Sequence, residues 1–256
     1  MTPGTVVAIY DFTQNYSTVL QNEIKSAHYC KAQITLHPIL CYIFNENNEL
    51  TRESVVILSD DINHDYWAVD AFCRKLICHL HSKNVKISHL IEGCDGAGKQ
   101  YKSVFAFHNL ASASAELGIL ITRYFFGSEH GKGESDGESG LVKSKVAEYA
   151  LRPNSNVQNA SDIKRFGDEH LTKNSISKLK KRADEVIAER SFHVVNQIYR
   201  PAQRDELETI KRSMKFHAIA SCNQKGCIMS RNLACFCNAC VKDEKEKCVN
   251  SKYVQD

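Results

Sequence analysis

Val6-Val7-Ala8-Ile9-Tyr10-Asp11 decides how the rest of the chain is read. β-Branched, small and aromatic residues in a short continuous run predict a buried strand, and the carboxylate of Asp11 ends it. Working outward, Ile34-Thr35-Leu36 and Ile39-Leu40-Cys41-Tyr42-Ile43-Phe44 form a second strand region, interrupted by Pro38. After the polar turn at 45–49, Val55-Val56-Ile57-Leu58 predicts a third strand, ending in Ser59-Asp60-Asp61. The period then changes. Trp67, Val69, Phe72, Leu76, Ile77 and Leu80 recur at helical spacing, predicting a helix over about 66–82. Val85 to Ile91 predicts a fourth strand, closed by Gly93-Cys94-Asp95-Gly96. Val104, Phe107, Leu110 and Ala111 mark a second helix, and Ile119 to Phe126 a fifth strand. A glycine-rich loop is expected from Gly127 to Gly140, and Leu141, Val142, Val146 and Tyr149 open a third helix.

Three strands without intervening helices suit an antiparallel meander. Strands alternating with helices suit parallel additions by right-handed crossovers. The order therefore predicts an α/β fold: a ribonuclease H-like mixed five-stranded sheet with flanking helices. Residues 1–152 would form that core, 153–215 a helical, basic segment, and 216–256 a cysteine-rich zinc module. Within the middle segment, 175–190 reads as a basic amphipathic helix, with Lys178, Lys180, Lys181 and Arg182 on it.

The composition, 43% hydrophobic and 25% charged, excludes a disordered or fibrous chain. No apolar run approaches the ~20 residues of a membrane helix. The N-terminus has no secretory pattern, so a nuclear or cytoplasmic, reducing setting is expected. The net charge of +3 only mildly favours a polyanionic partner.

In this topology the first and fourth strands are neighbours. Their ends would bring Asp11 and Asp95 together, with Asp136 approaching from the last core helix. Converging carboxylates repel unless a hard cation sits between them, and Mg²⁺ or Mn²⁺ would suit an oxygen site. The bland reading is that Asp95-Gly96 and Asp136-Gly137 are ordinary turn signals.

Six blocks carry a resemblance: Asp11-Phe12-Thr13-Gln14-Asn15-Tyr16-Ser17, Gln21 to His28, Thr35-Leu36-His37-Pro38, Ser59 to Asp65, Cys94 to Lys102, and His130 to Gly137. In this order they resemble transposon-derived proteins of animal genomes with a DDE-type, transposase-like catalytic domain. The likeness covers about residues 6–150, with a weaker echo in the terminal cysteines. It implies metal-dependent DNA cleavage and strand transfer. Asp11 and Asp95 would be metal ligands, Asp136 the third acid with Glu138 as competitor, and His130 and Lys132 phosphate contacts. DNA is the implied partner, and self-association is compatible with it. The departures are Gln14 for an acid, Cys94 for serine, Glu129 for serine, and Glu138-Ser139 for a Gly-Gly pair. The chain also begins a few residues before Asp11, where the resembling proteins carry a longer region. These departures leave room for a non-catalytic DNA- or protein-binding protein on the same fold.

A rival reading is a nucleotide-binding loop, because Gly93-Cys94-Asp95-Gly96-Ala97-Gly98-Lys99 nearly fits the phosphate-loop pattern between strand and helix. Gln100 stands where a Mg²⁺-binding hydroxyl belongs, and Asp95 would put a negative charge in the cradle. Asp60, Asp61, His64 and Asp65 read as a strand end and helix start, and Cys78-His79 with His81 as a helix face. His28 and His37 would either face the active site or satisfy core groups.

Of eleven cysteines, six cluster as Cys222, Cys227, Cys235, Cys237, Cys240 and Cys248. A cluster in a reducing compartment suits tetrahedral zinc better than disulfides. Cys237-x2-Cys240 is the most ligand-like pair, completed by Cys235 or Cys248 with Cys222, Cys227 or His217. A closed four-ligand site would be structural.

Overall fold

The computed structural model describes residues 4–10, 12–19, 31–44, 50–126, 134–153, 155–172, 186–201, 207, 210–222, 224, 226–235, 237–241 and 247–250. In chain order the elements are β1 (Thr5–Tyr10), β2 (Tyr16–Ser17), β3 (Gln33–Phe44), β4 (Leu50–Ser59), α1 (Tyr66–Ser82), β5 (His89–Cys94), α2 (Val104–Leu117) and β6 (Leu120–Phe125). There follow α3 (Glu134–Ala150), α4 (Ala160–His170), β7 (Val186–Val194), β8 (Ala218–Ser221), β9 (Ile228–Arg231) and the short α5 (Asn238–Val241).

One mixed sheet runs β7-β4-β3-β1-β5-β6-β8-β9, with β2 pairing with β3 off this path. β1, β3 and β4 are antiparallel neighbours, whereas β5 and β6 add in parallel on the other side of β1. The chain is thus mixed α/β, as its periodicity predicts. β4 shows the alternation plainly. Val55 and Ile57 face a core shared with α1 and α2, while Val56 and Leu58 face one shared with α3 and α4. Helices therefore cover both faces.

Four expectations change. β3 is continuous through Pro38, which cannot donate to a ladder, and the pairing with β1 ends one residue away at Tyr10↔Ile39. Helix α3 starts at Glu134, so Gly137 and Gly140 lie inside it, not in a loop; 127–133 lie outside the described residues. Residues 186–194 form a strand parallel to β4, where the sequence reads the end of a helix; 175–185 lie outside the described residues. Gly167 of α4 lets the helix close on this strand, since an added Cβ would meet the Phe192 ring at 2.6 Å. Finally, 216 is not a module boundary. β8 pairs with β6 and β9 with β8, so 218–231 extend the core sheet.

One polar pair sits in the middle of this apolar structure. Glu92 on β5 is opposite Arg123 on β6, and its Oε2 accepts from Arg123 Nε at 2.6 Å. Glu92 is fully buried, and its Oε1 also accepts from Cys73 Sγ at 3.3 Å.

Candidate functional site

The last described segment has almost no aliphatic core. Its buried cluster is Cys235, Cys240 and Cys248, with Cys237 packed against them. The chain leaves β9, places Cys235, turns through Cys237 into α5 with Cys240, and returns at Cys248. The four sulfurs lie within 4.8 Å of one another, the one such group of three or more metal-ligand side chains among the described residues. Cys235 and Cys248 are 3.7 Å apart, and Cys237 and Cys248 3.9 Å. A tetrahedron with Zn–S bonds of ~2.3 Å has an S···S edge of about 3.8 Å. The donor set thus fits a tetrahedral metal ion such as zinc.

The surroundings favour thiolates. The backbone N–H of Cys240 holds the Cys237 thiol down at about 6, and Asn250 Nδ2, 3.4 Å from Cys235 Sγ, helps lower that thiol. Burial pushes Cys240 up to about 12, although Arg231 Nη1 donates to its sulfur at 2.8 Å. A cation at the centre would remove that penalty.

Cys222 and Cys227 stand apart from this cluster. They flank the turn of the β8–β9 hairpin, whereas Cys235 leaves its open end. Four strand residues at ~3.4 Å each separate the two ends. His217 precedes β8 and is not in the group either. Sequence spacing could not show that a hairpin divides the cysteines.

The carboxylates follow the sheet. β1 and β5 are parallel and paired Ile9↔Gly93; β1 ends one residue before Asp11, and β5 one residue before Asp95. Asp11, His130 and Lys132 lie outside the described residues. Asp95 is half-buried and accepts from the Ala97 N–H at 3.1 Å. Asp136 is exposed in the first turn of α3. It shares a helical stripe with Ser139, whose Oγ donates to Thr13 Oγ1 at 2.9 Å, and with Lys143, whose ammonium donates to the Gln14 carbonyl. That stripe faces the segment leaving β1. Glu138 points elsewhere: it takes a bidentate contact from Arg190 of β7 and a 2.8 Å hydrogen bond from Ser54.

Residues 1–232 match a family model described as a domain of unknown function, DUF8701. The chain belongs to the DUF8701 family. The match ends three residues before Cys235, so the thiol centre follows the DUF8701 region. No curated protein and no solved structure matches the chain.

Other motifs in the DUF8701 region resolve locally. Helix α2 begins at Val104 under the Ser103 cap, well beyond Lys99, whereas a phosphate loop opens its helix at that lysine. Lys99 is exposed, and the Asp95 carboxylate already takes the Ala97 N–H. Asp65 is the N-cap of α1, accepting from Ala68 N, and with Asp61 it binds Arg200. Asp60 accepts from Ala160 N and Asn196 Nδ2. These acids cap and pair.

His28 lies outside the described residues, and His37 is a core group. Its ring packs against Phe12 at 4.4 Å and Phe72 at 5.2 Å, and its Nδ1 has no hydrogen-bond partner. Burial, then the charge of His64, holds this imidazole at about 3. An unfolded histidine binds its proton below about 6.5, so the unfolded chain binds more protons between these values. Stability is therefore present near pH 7 and lost as pH falls from about 6.5 towards 3. Denaturant titrations should give a stability on the order of 2 kcal/mol lower at about pH 4.5 than at about pH 7. His37→Phe should reduce that slope, and an unchanged slope would show that His37 is not its source.

Proposed function

We propose that this chain is a ribonuclease H-like, transposase-like protein that cleaves and joins DNA through carboxylates at the ends of its central strands. The observation that carries the reading is the register of β1 against β5, which end side by side, each one residue before an aspartate. The order β4-β3-β1-β5-β6, antiparallel on one side of β1 and parallel on the other, supports that fold. Asp11 and Asp95 would hold Mg²⁺ or Mn²⁺. Asp136 is the better third acid, because Glu138 is committed to Arg190. When bound, such an ion supplies activation of water or a 3′-hydroxyl and stabilises the leaving oxygen. Lys143, half-buried and within electrostatic reach of Asp136, anchors the segment after β1. Zinc at the four cysteines would be structural, and a nuclear setting follows from a DNA substrate.

The test is incubation of labelled DNA with Mn²⁺ and either the native chain or Asp95→Asn. Cleavage by the native chain should fall more than about a hundredfold in the variant, since even outer-shell changes at metal sites cost ~10–100-fold. Equal cleavage by both would remove Asp95 from the site. No cleavage by either, with DNA binding retained, would assign the non-catalytic DNA-binding role instead.

A further inference from the structure

A buried glutamate and two partly buried histidines, from three different elements, form one chain of hydrogen bonds. Glu53 of β4 meets His79 of α1 with 2.6 Å between Oε1 and Nε2, and His79 Nδ1 lies 3.1 Å from Nε2 of His193 on β7. Burial alone would raise the Glu53 carboxyl, but hydrogen bonds from His79 and from Lys83, the latter at 2.9 Å, hold it below the usual range. An ionised carboxylate can only accept, so His79 carries its hydrogen on Nε2. With His79 neutral, its Nδ1 accepts from the Nε2–H of His193. The Nδ1 of His193 is then the basic end of the relay.

That end borders a cleft of about 490 Å³ lined by His79, Lys83, Lys164, Asp168, Ser191 and His193 among others. The volume is that of a small-ligand site. The cations around His193 outnumber the acids. Lys75 and Lys83 come from α1, Lys164 from α4 and Arg190 from β7. Of the acids, Asp168 is paired with Lys164, Glu53 lies behind His79, and Glu138 is paired with Arg190. Burial above all, with the ammonium groups of Lys75 and Lys164 adding to it, holds His193 down at about 4, so its ring is neutral near pH 7.

A bound anion would reverse this balance. It supplies the charge that makes an imidazolium favourable, and His193 would donate to it from Nδ1 while keeping its Nε2–H on His79. The relay to Glu53 spreads the new positive charge inward. One proton moves from solvent to His193 and no other bond changes. We propose that this cleft binds a tetrahedral oxyanion, the phosphate or sulfate group of a small ester, with uptake of one proton at His193. The site is independent of the carboxylate ends, so it stands if DNA cleavage fails.

Calorimetry of the full chain with sodium sulfate, in two buffers of different ionisation enthalpy, tests it. Saturable binding with uptake of about one proton is expected, and affinity should fall about tenfold per pH unit between about pH 5 and 7. His193→Gln should abolish the proton uptake. Lys164→Gln, a change at a half-exposed position, should weaken binding several-fold with the unfolding curve unchanged. A nucleoside monophosphate competing with sulfate supports the small-ester assignment, whereas competition by a single-stranded oligonucleotide alone overturns it. Absence of saturable binding, or binding indifferent to both substitutions, overturns the site.

Discussion

The native chain is expected to retain one zinc ion, and Cys237→Ser to retain none. Among its described residues, the segment from Cys235 to Cys248 buries cysteines and little else, so a metal ion held by them would stand in for its core. Structural zinc contributes roughly 10–16 kcal/mol of apparent binding free energy in small zinc-folded units, and that energy is folding energy. Losing one thiolate opens the tetrahedron, and affinity should drop by more than about a hundredfold. Arg231→Met removes the hydrogen bond to Cys240 and should cost about 10–100-fold. Cys222→Ser, at the far end of the hairpin, should keep its zinc. Elemental analysis after dialysis against a weak chelator reads all three, and hydrogen exchange over 235–250 reports the accompanying loss of order. Zinc absent from the native chain, or lost from Cys222→Ser, would overturn the ligand set.

Glu92→Gln should be the most damaging change in the sheet. It leaves the Arg123 guanidinium, itself nearly buried, without its counter-charge. Breaking a buried pair from one side typically costs ~3–5 kcal/mol, a large part of the ~5–15 kcal/mol that holds a domain folded. The melting temperature should fall by roughly 10 °C. A double change, Glu92→Leu with Arg123→Met, removes both charges and should cost less than the single one. A double variant no more stable than Glu92→Gln would mean that the pair is favourable in itself. Because the two residues face each other across β5 and β6, their loss also loosens the register that sets where Asp95 leaves the sheet.

Much of the sheet was legible because its core strands carry local patterns. β1 and the inner half of β4 are short apolar runs bounded by polar residues, and α1 shows a clear stripe from Val69 to Leu80. β7 was not, for a physical reason. Its partner β4 lies more than a hundred residues earlier, and its buried Arg190 looks like a surface charge until Glu138 is found beside it. β8 and β9 are four residues each, too short to declare a period. At the sites, thiol chemistry was legible, but not which thiols meet, because the hairpin between them is made by pairing to β6. The choice between Asp136 and Glu138 likewise needed the ion pair. His79 read as one face of a helix; its partners are on β4 and β7, and no local signal marks them.

The two flanks of the sheet are laid down late. β4 waits for β7, and β6 waits for β8, so both strands have open edges when the ribosome has finished residue 125. At synthesis rates of ~5–20 residues per second, β4 remains uncovered for roughly 3–14 s before residue 194 emerges. Unpaired hydrophobic edges invite pairing with other chains. The nascent protein is therefore most exposed to misassembly, and most in need of chaperone shielding, during a window set by the order of its strands.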